Sequence, residues 1–179
     1  MLELIVPGRE FFDEEKNEFV TSKSTHLTLE HSLISLSKWE SKWEKPFLSS
    51  EKTTLETIDY IRCMTLTQNV DPIIYTSLTD DNVKDVIAYI EARMTATTIT
   101  NKEGRGPKGE IITAEIIYYW MVTLNIPFEC QKWHLNRLLT LIEVCSIKNQ
   151  PPKKMSRNEL LRNNRELNAA RRARHKTRG

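Results

Sequence analysis

The chain has 179 residues, 39% of them hydrophobic and 28% charged, enough for one folded domain with an appendage and too apolar for a wholly disordered chain. No apolar run approaches the roughly 20 residues that span a bilayer, and "MLELIVPGRE" lacks the basic start of a signal peptide, so neither a membrane protein nor a secreted one is expected. The net charge of +2 conceals an asymmetry: residues 153–179 hold ten Lys and Arg against two acids (+8), and the rest holds 16 basic against 22 acidic residues (−6). The three cysteines, Cys63, Cys130 and Cys145, are an odd number without a disulfide framework spacing, which suits buried thiols in a reducing cytoplasm.

The first thirty residues predict β structure. "LELIVP" is short and apolar, "EFFDEEKNEFVTS" reads as two strand pieces around a polar turn at 14–17, and "THLTLE" alternates apolar and polar residues. A small antiparallel sheet of two or three strands follows, which has to pack on helices to be stable. Leu29, Leu33, Leu36, Trp39 and Trp43 then recur at three and four residues and predict an amphipathic helix stopped near Pro46. Thr53-x-x-Glu56 has the form of a capping box and opens a second helix carrying Leu55, Ile58, Tyr60, Ile61, Met64 and Leu66, ending near Thr67. Asp71-Pro72 begins a short helix through Leu78. Thr79 with Asp80 and Asp81 starts another, lined by Val83, Val86, Ile87 and Ile90.

Residues 95–109, "TATTITNKEGRGPKG", predict a loop. The segment 110–125 is apolar on nearly all sides and predicts a central helix. Pro127 opens the next, ending around Lys148, and the remaining helices are expected to gather around this pair. "NQPPKKM" stops that helix, and Ser156-x-x-Glu159, a second capping box, starts a last polar helix. The resulting expectation is a mainly α fold with a small N-terminal antiparallel β element (1–30), a helical body (31–149) and a linker with a basic helical tail (150–179).

Chemistry-bearing patterns are few. Cys130 and His134 are four apart and would share a helical face, but a zinc site needs four ligands, and Cys145 lies about four turns further on. A small buried thiol on a face shared with Trp133, Arg137, Leu138 and Leu141 is the simpler reading. No nucleophile elbow, phosphate-binding loop or zinc-protease motif is present, and "GRGPKGE" lacks the spacing and hydroxyl of a phosphate loop. No catalytic residue, metal or cofactor is therefore expected, and the protein reads as a non-enzyme. Trp39 and Trp43, at i and i+4, are core anchors or an exposed partner site. In the tail, Leu160, Leu161 and Leu167 would supply apolar contact, and Arg162, Arg165, Arg171, Arg172 and Arg174 would steer an encounter with an acidic surface. A nucleic-acid arm is the less favoured use of that charge, since aromatic residues and a recognisable motif are missing. A membrane-surface helix is disfavoured by the lack of a bulky apolar face.

Four blocks together, "LEHSLISLSKWESKWEKPFLS", "TIDYIRCMTLTQNVDP", "EIIYYWMVTLNIPFECQKWHLNRLLTLI" and "IKNQPPKKMS" followed by "LNAARR", resemble proteins of the structural modules of tailed bacteriophages, specifically the tail assembly chaperone family. The resemblance covers most of the chain, including "FFDEEKNEFV". It implies a protein that keeps the helical tape measure protein soluble in the host cytoplasm, recruits tail tube subunits and is absent from the finished virion. Its layout of body plus C-terminal extension matches the break at Pro151-Pro152, with the tube protein as the partner of the tail. The family carries no motif-defined binding residues, so the residues named above rest on pattern alone. Self-association, a permanent head or tail connector role, and nucleic-acid binding through the tail remain open alternatives.

Overall fold

The computed structural model describes residues 1–13, 17–99, 111–150 and 157–175. The fold is mainly α-helical with a small N-terminal antiparallel β element. The contacts divide it into two compact units, 1–147 and 148–179.

The first unit begins with β1 (Leu2–Val6), β2 (Glu10–Asp13), β3 (Glu18–Thr21) and β4 (Thr25–Leu29). β1 pairs with β4 and β2 with β3, giving two two-stranded sheets rather than the single sheet of two or three strands expected. Leu4 faces Leu27 in one pair and Phe11 faces Val20 in the other, the same register in both. The four strands are thus one long hairpin interrupted opposite Pro7 and Gly8. Pro7 has no N–H to continue the ladder. A Cβ on Gly8 would sit 2.5 Å from the Ser22 carbonyl oxygen, so only glycine allows the two arms this close. Ser22 rejoins them, its amide donating to the Arg9 carbonyl at 2.8 Å. Residues 14–16 of the expected turn lie outside the described residues; Asn17 has φ 54°, which asparagine tolerates.

Alternation along β1 and β4 places Leu4, Val6, Leu27 and Leu29 in the core. Leu29, which fits both the alternation of "THLTLE" and the stripe of the first helix, ends β4, where it bridges to Thr65; its spacing to Leu33 fits a helix, but its backbone is committed to the sheet. Helix α1 (Leu33–Trp43) starts after Ser32, which exchanges side-chain hydrogen bonds with Ser35 as a capping box, and ends at Glu44 in the left-handed region. Helix α2 (Thr54–Met64) carries the expected box of Thr53 and Glu56. It stops before Thr67 because the Leu66 amide turns to donate to the Thr28 carbonyl. Leu55 and Leu66 are exposed, and Tyr60, Ile61 and Met64 face inward.

A 3₁₀ helix at Pro72–Ser77 follows, then α3 (Asp80–Glu91), capped by Thr79 with Asn82. Of its expected apolar line, Val86 is buried and Ile87 exposed, and Tyr89 also turns inward. Of the expected loop, 100–109 lie outside the described residues. Helix α4 (Ala114–Thr123) is shorter than expected and not central: Ala114, Ile117 and Met121 are its buried residues. The organising helix is α1, which contacts α2, α4 and a 3₁₀ helix at Phe128–Lys132, and whose Leu33, Leu36 and Trp39 are fully buried.

That last 3₁₀ helix corrects the expectation that Pro127 opens one long helix. The chain leaves it at Trp133, His134 bridges to Ser32 and α5 (Leu135–Asn149) begins afresh. The Leu135 amide donates to the His31 carbonyl, so tertiary bonding takes the groups a continuous helix would have used. The second unit contains α6 (Arg157–His175). The expected capping residue Ser156 and the Pro-Pro linker lie outside the described residues.

Candidate partner-binding surface

The break at Trp133 separates the one pair of residues whose spacing suggested chemistry. Cys130 belongs to the 3₁₀ helix and His134 to the bridge before α5, so they do not share a helical face. Cys130 is buried, and burial, with Glu129 adding to it, pushes its thiol above the ordinary value, the opposite of an activated nucleophile. His134 spends its ring on the backbone, with Nε2 2.9 Å from the Tyr89 carbonyl oxygen. Among the described residues no three His, Cys, Asp or Glu side chains are grouped to hold a metal ion. No described helix is long and apolar enough to cross a membrane.

Trp39 and Trp43 take different positions. Trp39 is fully buried, donates from Nε1 to the Glu56 carbonyl at 2.9 Å and meets Phe47 edge to face at 5.1 Å. It therefore offers no surface to a partner. Trp43 is half-buried, and its Nε1 donates to Asp59, whose other oxygen accepts from Lys42. The two rings lie 6.3 Å apart, one inside the core and one at its rim.

The surface that does face outward is on α4. Glu115, Tyr119, Val122 and Thr123 are exposed on the side opposite Ile117 and Met121. Tyr119 is 66% and Val122 60% exposed, and Phe128 from the following 3₁₀ helix is 54% exposed. Phe128 lies 6.4 Å from the ring of Tyr118, which ties that helix to α4; the Tyr118 hydroxyl donates to Gln131 at 2.9 Å. Tyr118, Tyr119, Val122 and Phe128 thus form one apolar, largely aromatic strip. Contiguous strips of this kind on a folded domain mark interaction sites more often than isolated apolar side chains do. The all-round hydrophobicity of 110–125 was the signal in the sequence; reading it as centrality concealed the exposed side.

What keeps α4 in place was not foreseen. Its N-cap residue Thr113 makes no side-chain bond. Glu40 supplies the cap from α1: Oε2 accepts from the Ala114 amide and Oε1 from the Phe47 amide, each at 2.7 Å. A buried carboxylate holding two backbone amides joins three chain segments at one point.

The tail residues named from the sequence all lie on α6. Leu161, Arg162, Arg165, Leu167, Arg171, Arg172 and Arg174 are exposed, and Leu160 sits in the helix's first turn. Arg162 pairs with Glu166 one turn on, at 3.3 Å. Comparison of the chain with protein-family models, with curated proteins and with solved structures finds no match.

Proposed function

We propose that this protein is a non-enzymatic tail assembly chaperone of a tailed bacteriophage, which covers helical segments of the tape measure protein and recruits tail tube subunits through its basic tail. The observation that carries the reading is the exposed strip Tyr119, Val122 and Phe128 beside Tyr118. An amphipathic helix can lay its apolar side on such a strip, and binding of that kind needs buried area rather than catalytic groups. The phage-like sequence blocks support the choice of partner. The tail, with ten basic residues against two acidic ones, suits an acidic surface on the tube subunit. In this reading the protein works in the host cytoplasm and leaves before the virion is complete.

Co-expression with the tape measure protein tests it. The intact chain should raise the soluble yield of that protein and co-purify with it. The triple variant Tyr119→Ser, Val122→Asp, Phe128→Ser should fold and do neither. Absence of any gain with the intact chain refutes the proposal. Mass spectrometry of purified virions decides the alternative: stoichiometric copies in the particle would make the protein a connector subunit instead.

A further inference from the structure

We propose that His31 and His134 form an acid-opened latch that holds the C-terminal end of α3 against the junctions leading into α1 and α5. The two residues are buried, and their rings lie 5.1 Å apart at 68°. Around them, two chain junctions meet: the Leu135 amide donates to the His31 carbonyl at 2.7 Å, and Ser32 bridges to His134.

The hydrogen bonds define the protonation state of His134. Its Nε2 faces the Tyr89 carbonyl at 2.9 Å, and a carbonyl only accepts, so Nε2 carries the hydrogen. Its Nδ1 faces the Asn136 amide at 3.3 Å, and an amide N–H only donates, so Nδ1 is bare. The ring is therefore neutral with both nitrogens in use. A second proton on Nδ1 would point at a donor. Asn136 completes the latch, its Nδ2 donating to the carbonyls of Ile90 at 2.8 Å and Ala92 at 2.9 Å. Three carbonyls at the end of α3 are thus held by residues 134 and 136, where the helix has no basic residue of its own in its last turn.

The other charged and titratable groups here come from each neighbouring element. Tyr60 of α2 meets His31 Nδ1 at 2.6 Å. Glu30, just before α1, accepts from the Tyr89 hydroxyl of α3 at 2.8 Å and lies 3.2 Å from the Met1 amino group beside β1. The Phe47 ring lies 6.4 Å from that of His31. Glu30 is thus already engaged by two partners, and its attraction for a charged His134 does not offset burial. Burial lowers both histidines, His31 to about 3 with His134 adding to the effect.

The sign follows. A group whose folded-state pKa is depressed by burial as a neutral base is stabilising above its free value near 6.5. That stability is lost as pH falls from 6.5 toward the folded value. A ring that stays neutral in the closed state across this window and titrates at its free value once exposed raises the open population about tenfold between pH 7.5 and 5.5, and His31, held at about 3, meets the first condition. Glu56, held below the usual carboxylate range by Lys45, adds its own acid sensitivity only nearer and below its free value of 4.5, so that window isolates the histidines.

Hydrogen exchange on the full chain, corrected for intrinsic rates, tests this. Between pH 7.5 and 5.5 the amides at the end of α3 and the start of α5 should lose at least tenfold in protection, while those of α1 and α2 keep theirs. Equal loss in all four helices, or none in α3, overturns the proposal. His134→Gln preserves a donor for Tyr89 and an acceptor for Asn136 without titrating, and should abolish the pH dependence attributable to that ring; an unchanged dependence overturns the latch. Should that variant not fold, NMR titration of the two imidazoles in the unaltered protein decides: His31 should stay neutral in the closed state at pH 5.5 and His134 should titrate below its free value, and a closed-state ring titrating near 6.5 refutes the proposal.

Discussion

Helix α1 has 11 residues and completely buries Leu33, Leu36 and Trp39, whereas α6 has 19 residues and each of its described side chains is exposed. Length and helix propensity favour α6, which is rich in Leu, Arg, Glu and Ala. Anchoring favours α1, whose ends are fixed by the Ser32–Ser35 box and by Glu44, and whose side chains reach α2, α4 and the 128–132 turn. The difference teaches that the body's helices are consequences of burial, while α6 depends on local preference and leaves its described side chains exposed.

Substitutions that remove α1's anchors should break the comparison most strongly. Trp39→Ala deletes a fully buried ring and its bond to Glu56, and should cost about 4 kcal/mol in urea unfolding. A loss under about 1 kcal/mol would mean that α1 is not the centre of the core. Glu40→Ala leaves the Phe47 and Ala114 amides without their acceptor and should cost about 3 kcal/mol. In that variant, hydrogen exchange should quicken first at the start of α4; uniform quickening would contradict a local cap. Truncation after Asn149 lies at the opposite end of the scale. It should change body stability by less than about 0.5 kcal/mol and leave a cooperative melt. On the proposed chaperone reading, it should also abolish tube-protein recruitment while tape-measure binding persists. Unfolding of the truncated chain would show that α6 belongs to the core and would end the contrast.

Several elements were legible because their signals are local. Thr53 with Glu56 and Thr79 ahead of Asp80 mark helix starts through bonds made within four residues, and both caps stand where the pattern put them. The alternation of "THLTLE" likewise assigns its inner face without knowledge of the partner strand. The exposed side chains of α6 follow from its composition, since so many charged groups cannot be buried together.

What escaped the pattern depends on residues far apart in the chain. Leu29 fits the helical period of α1 equally well, but β1 claims its backbone. The segment from Pro127 to Lys148 has helical periodicity throughout, yet His31 and Ser32 interrupt it with bonds across about a hundred residues. Trp39 and Trp43 share a spacing that serves a core or a surface, and only the placement of Phe47, Glu56 and Asp59 makes one buried and the other marginal. The same holds for the strip on α4: its apolar residues are visible in the sequence, but which of them stay outside depends on where α1 stops covering them. The sequence by itself determined the helix starts, the strand alternation and the charge of the tail, because those rest on bonds and periods a few residues long. The tertiary structure alone decided the break before α5, the cap from Glu40 and the pairing of His31 with His134, because a buried donor or acceptor takes whichever partner the fold brings within about 3 Å.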